Sequence, residues 1–168
     1  MEKRKSFLNQ KGFSLVELII VIAIMAILVA IMVPVLINWI EKSNVSSDTQ
    51  LADTVRGAFL CAVTDARVLS DPKSAPYLDK MENPTDPSLG MSIIEVAAAT
   101  DNPVIKDSVE EILGMDIVAV KSHLKSKHES DSEFYVRLEG GNVIVTISKT
   151  DCTGKKNTNT PSNYIVVD

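Results

Sequence analysis

Cysteine is scarce in this chain. Cys61 and Cys152 are the only two in 168 residues, with ninety positions between them. That separation excludes a CxxC redox motif and a four-thiolate zinc site built from one copy. Histidine is equally scarce. His123 and His128 stand five apart in a polar run, neither an HExxH motif nor a same-face pair, so both are expected at the surface. Asp151, Asn157 and Asn159 offer oxygens but lack the acidic spacing of a calcium loop. Aromatic residues make up 5% of the chain, and 17 basic residues are outnumbered by 22 acidic ones, a formal net charge of −5. A chain this poor in rings and cations has neither the stacking platform nor the basic patch of a direct nucleic-acid binder. It also has no glycine-rich phosphate loop and no nucleophile–base pair. The expectation is a protein that is not an enzyme, with no cofactor and no metal.

What the sequence does have is one long apolar run. Leu18 to Ile37 are twenty consecutive residues without a charged or polar side chain. As a helix they extend about 30 Å, the thickness of a bilayer's hydrocarbon core. The twelve residues ahead of it, MEKRKSFLNQKG, carry Lys3, Arg4, Lys5 and Lys11 against Glu2. Basic residues beside a span stay on the cytoplasmic side, which places everything after Trp39 outside the membrane. A cleavable secretory signal has an apolar region of about 7–15 residues and a small-x-small site. This run is longer and ends in Asn-Trp-Ile-Glu. A plain one-pass anchor fits the length but not Glu17, a carboxylate at the very edge of the run. On insertion scales such a group costs about 2.5–3.5 kcal/mol at a helix centre and less near the interface.

The string Lys11-Gly12-Phe13-Ser14-Leu15-Val16-Glu17, followed at once by the apolar run, resembles the class III signal of type IV pilins and pseudopilins. The resemblance covers residues 11 to about 40. It implies cleavage between Gly12 and Phe13 by a prepilin peptidase, methylation of the Phe13 amine, and an assembly role for Glu17. Glu17 would be drawn toward the amine of the same or a neighbouring subunit. It further implies a helix that can open around Pro34, whose ring removes a donor and meets the carbonyl of Ala30. The division that follows is a leader over 1–12, a membrane and assembly segment over 13–40, and an exported domain over 41–168. Loss of the leader takes four basic residues and one acidic, leaving −8.

Beyond the run, Leu51, Val55, Ala58, Phe59, Ala62, Ala66 and Leu69 recur at three- and four-residue spacing. They form one apolar stripe, which extends the helix from about Ser14 to Leu69. Residues 70–90 hold four prolines and read as a surface loop. Ser92 with Glu95 has the spacing of a capping box. Pro103 to Gly114 reads as a second short helix, and Asp116 as the cap of a third, with strand as the alternative. Phe134, Val136 and Leu138 then alternate with polar neighbours. Gly140-Gly141-Asn142 turns the chain into Val143–Ile147, a hairpin, and Tyr164–Val167 can supply a third strand. The expected fold is α+β and type IV pilin-like: a long N-terminal helix, membrane-spanning in its first half, packed on a small antiparallel sheet.

The resemblance implies a structural subunit stored in membrane lipid. It would be assembled with identical or related pilin subunits into a helical filament at the cell surface, by a membrane platform and an assembly ATPase. A pseudopilin of a type II secretion or DNA-uptake system carries the same signal and remains the alternative, with a bitopic anchored binding module behind it. In an exported domain Cys61 and Cys152 are expected to form one disulfide, tying the helix to the loop after the hairpin, in preference to two unpaired thiols. Pilin disulfides commonly join two cysteines near the C-terminus, so Cys61 departs from that pattern. Asn44-Val45-Ser46 matches a minimal glycosylation sequon, a triplet that arises easily by chance.

Overall fold

The computed structural model describes residues 13–85, 90–101, 103–126, 132–149 and 164–168. The chain divides into two compact units at Ile40/Glu41. The first consists, in its described part, of the opening stretch of helix α1 (Leu15–Thr64). From Phe13 to Ile37 its large apolar side chains are all exposed. Val and Ile are frequent in this stretch and are modest helix formers in water. Where no water is available, a helix is the only single segment that satisfies every backbone group internally.

The second unit begins within the same helix. Ala52, Val55, Ala58, Phe59 and Ala62 are buried, and Leu51 and Leu60 pack partly against them. Thr49, Thr54 and Thr64 donate their hydroxyls to the carbonyls of Val45, Gln50 and Leu60 at 2.8, 2.9 and 3.0 Å, so these polar side chains are satisfied within the helix. The expected single helix to Leu69 does not form. Asp65, at φ −72 and ψ 124, leaves the helix and caps α2 (Ala66–Ser70) by accepting from the Arg67 N–H at 2.8 Å. The restart changes the phase of the stripe. Val68 is buried in place of Ala66 and Leu69, and Leu69 is 63% exposed.

The proline-rich stretch is not simply a loop. It contains helix α3 (Ala75–Glu82), with Pro76 in the first turn and Met81 fully buried. A proline there forfeits no helical hydrogen bond, because the first N–H groups have no acceptor within the helix. Ahead of it, Asp71 and Ser74 tie this region to helix α5 (Val104–Leu113). The Asp71 carboxylate accepts from the Ser74 hydroxyl at 2.6 Å and the Val104 N–H at 2.9 Å, and the Ser74 oxygen accepts from the Ile105 N–H at 3.0 Å. Pro103, at the N-cap of α5, has no side-chain hydrogen bond to offer, so the cap comes from 33 and 31 residues away in sequence. The Ser74 hydroxyl, followed by the Val104 amide, holds the Asp71 carboxyl below the usual carboxylate range.

The intervening segments are helical, as their caps predict. Strand β1 (Met91–Ser92) leads into α4 (Ile93–Ala97). Ser92 accepts from the Ile94 N–H at 3.3 Å, while Glu95 turns to Lys80 at 2.6 Å instead of closing the box. Gly114, at φ 68, ends α5. Asp116 caps α6 (Ile117–Val120) by accepting from the Val118 N–H at 2.8 Å. A 3-10 turn over Lys121–His123 follows.

The sheet is antiparallel and four-stranded, in the order β1-β2-β3-β4, with β2 Ser132–Glu139, β3 Asn142–Lys149 and β4 Tyr164–Val167. Glu139 pairs with Asn142 across Gly140 and Gly141, both at positive φ, a turn whose twist suits a two-residue hairpin. Gly90 lets β1 approach β2, because a Cβ there would stand 2.6 Å from the Val136 carbonyl oxygen. Phe134, Val136, Val143, Val145, Ile147 and Val167 share one buried core with the 52–62 stripe of α1. The long helix is thus packed against the small antiparallel sheet, as the periodicities predict.

The expected disulfide is overturned. Cys61 is an exposed free thiol. It follows Ala58 and Phe59 and precedes Ala62, all buried, so it occupies the face of α1 that turns away from the core. Cys152 lies outside the described residues.

Candidate processing and assembly site

The residues implied by the class III signal gather at the start of α1. Gly12 lies outside the described residues. Phe13 is 92% exposed, and Ser14 is the last residue before the helix. Glu17 occupies the third helical position. Its Oε2 accepts a hydrogen bond from the Ser14 N–H at 2.8 Å, while the Ser14 carbonyl accepts from the Leu18 N–H at 3.2 Å. Ser14-Leu15-Val16-Glu17 is a Ser-x-x-Glu box, and its Glu arm is closed. The carboxylate therefore takes up one orphan donor of the helix and sits at the positive end of its dipole. The spacing that encodes this cap is plain in the sequence. The apolar run beside it directs attention to the charge of Glu17 rather than to its hydrogen bond.

The Ser14 N–H occupies one carboxylate oxygen. The other is open to a second donor, and the apolar side chains around it are exposed on every face of the helix. Cutting the Gly12–Phe13 bond would place a cationic amine one residue before Ser14, within local reach of the same carboxylate. Pro34 lies inside α1, which continues on both sides of it. Trp39, at the end of the apolar stretch, is 68% exposed. This is one helix long and apolar enough to cross a membrane.

The remaining candidates form no cluster among the described residues. His123 is exposed, and His128, Asp151, Asn157 and Asn159 lie outside the described residues. Among the described residues no group of three or more His, Cys, Asp or Glu side chains could hold a metal ion. Cys61 lines an open groove with Thr64, Asp65, Arg67, Ser108, Glu111 and Ile112. In it Arg67 is already paired with Asp65 at 2.8 Å, and this guanidinium holds the Asp65 carboxyl below its usual range. Asn44-Val45-Ser46 lies within α1.

Comparison with known proteins reaches the same end of the molecule. Residues 8–33 match the prokaryotic N-terminal methylation motif. The chain is 41% identical over 64 residues to a fimbrial protein of Moraxella nonliquefaciens, a match covering 38% of this chain and 42% of that one. It is 40% identical over 60 residues to the type IV narrow pilus major component PilA5 of Thermus thermophilus, covering 36% and 52%. It is 43% identical over 58 residues to the type IV major fimbrial protein FimA of Dichelobacter nodosus, covering 34% and 37%. The matched region spans about two-fifths to half of the length of these relatives. No solved structure matches the chain. The N-terminal part of the chain thus carries the prokaryotic N-terminal methylation motif on a long apolar helix, and it is similar there to fimbrial and type IV pilus proteins.

Proposed function

We propose that this chain is a prepilin, the precursor of a structural subunit of a type IV pilus. Residues 1–12 are its leader, 13–40 its membrane and assembly segment, and 41–168 its exported domain. A prepilin peptidase cuts between Gly12 and Phe13 and the Phe13 amine is methylated. The subunit waits in the membrane as a single-pass protein with its leader on the cytoplasmic side. A membrane platform and assembly ATPase then move it into a cell-surface filament of identical or related subunits. The observation that carries this reading is the methylation motif on a helix whose large apolar side chains are exposed from Phe13 to Ile37. A helix with no buried face needs another apolar environment around it, first lipid and then the same helices of neighbouring subunits.

Within this reading Glu17 sets the register. In the isolated subunit its carboxylate has the Ser14 N–H; in the filament a neighbour's Phe13 amine offers a full charge. Such a pair in an apolar setting contributes specificity more than net stability. Glu17→Val should leave membrane insertion and cleavage intact, with Phe13 as the methylated mature terminus by mass spectrometry. Sheared filament should fall by about an order of magnitude or more, the effect of losing roughly 1.4 kcal/mol or more per docking event. Wild-type filament yield from this variant would remove the assembly role. An intact Met1 terminus in cells with an active prepilin peptidase would remove the prepilin reading altogether.

A further inference from the structure

Asp48 is the first buried residue of α1 and the one charged side chain buried among the described residues, at 0% exposure. Asp48, Ala52, Val55, Phe59 and Ala62 follow one another at spacings of four and three, so the carboxylate extends the apolar stripe by one turn. An ionised group in such a place is tolerated only when its oxygens are satisfied. Here they are. Oδ1 accepts from the Lys125 N–H at 2.8 Å and Oδ2 from the Ser126 N–H at 2.9 Å, across 77 and 78 residues of sequence. Two consecutive amides directed at one anion form a small nest, and the two oxygens of a carboxylate match it one to one.

We propose that Asp48 is a latch that fastens the segment leaving the 3-10 turn to α1 and sets, independently of the apolar core, whether that segment stays docked. The division of labour is visible residue by residue. Leu124 belongs to the core, whereas the Lys125 side chain is exposed and Ser126 is half-buried. Past Leu124 the attachment passes from apolar packing to these two charge-assisted bonds. Such a junction opens locally, because breaking it exposes little apolar surface and leaves the strands and the 52–62 stripe in place. The inference does not depend on the pilus reading. It needs only the second compact unit and its part of α1.

Amide hydrogen exchange on the full-length chain in detergent micelles tests it. Asp48→Asn presents one amide N–H₂ to the nest in place of an oxygen. It should speed exchange at Lys125 and Ser126 by roughly tenfold or more, the loss of at least one charge-assisted bond. Tyr135 and Thr146, paired across β2 and β3, should exchange as slowly as in the parent. Lys125→Pro removes a donor from the other side without touching α1. Leu124, at φ −64 and ψ 137, already has the extended backbone that a following proline requires. This variant should speed exchange at Ser126 in the same local manner. Unchanged exchange at Lys125 and Ser126 in Asp48→Asn would overturn the latch. Acceleration at Tyr135 and Thr146 equal to that at Ser126 in both variants would also overturn it, since Asp48 would then be one more contributor to global stability.

Discussion

The two stretches of α1 on either side of Ile40 share a secondary structure and almost nothing else. From Phe13 to Ile37 the large apolar residues face outward on every side. From Glu41 to Thr64 buried residues keep to one stripe, and the opposite face carries Asp53, Gln50 and Cys61. The first pattern has no inside and the second has one. Helix propensity therefore explains neither stretch. Each is helical because of what surrounds it: the earlier one needs an apolar medium, and the later one needs the sheet.

That contrast can be broken at either end. The largest effect is expected where the later stretch is most buried. Phe59→Ala should cost about 3–5 kcal/mol, read as a fall in the melting temperature of the purified protein, because its ring lies at 0% exposure among residues of the sheet. An unchanged melting temperature would show that α1 does not pack through this stripe. Next is a charge in the earlier stretch. Leu28→Lys puts an ammonium mid-run at about 2.5–3.5 kcal/mol on insertion scales, and carbonate extraction of membranes should show a reduced embedded fraction. The melting temperature should not move, because Leu28 is exposed and is not among the buried core residues. The smallest effect sharpens the boundary where the stripe ends. Leu69→Ser should stay within about 0.5 kcal/mol, since the restart at Asp65 has turned that side chain outward. A loss of several kcal/mol would mean that the stripe continues through α2 after all.

Local signals in the sequence were sufficient wherever the structure is locally determined. Period-two alternation and Gly140-Gly141 define the hairpin, and Asp116 and Gly114 mark helix ends by the same chemistry that caps them. The amphipathic stripe identifies Val55, Phe59 and Ala62 as core. What stayed hidden depends on distant partners. Helix α3 is held by burying Met81 and by the network from Asp71 to α5, neither of which a proline-rich stretch announces. Strand β1 is two residues long and exists because Gly90 lets it close on Val136. The disulfide expectation failed on a rotation about the helix axis. Cys61 sits between Leu60 and Ala62 in sequence, but its direction was already set by the burial of Ala58, Phe59 and Ala62. At the processing end the legible part was the signal itself. The Ser14–Glu17 hydrogen bond was legible too, as a Ser-x-x-Glu spacing, but the apolar run beside it overshadows that signal.

The lengths of the outer strands have a consequence for crowding. The sheet is bounded on one side by the two residues of β1 and on the other by the four of β4, while the eight-residue strands β2 and β3 lie between them. A strand edge is a template for any other chain that can lay its amides alongside, and the hazard grows with the length of the exposed row. Each outermost strand of this sheet therefore offers a second copy only a short row of backbone to pair with. At high local concentration, the outermost strands give a neighbouring copy two and four residues of backbone on which to extend the sheet.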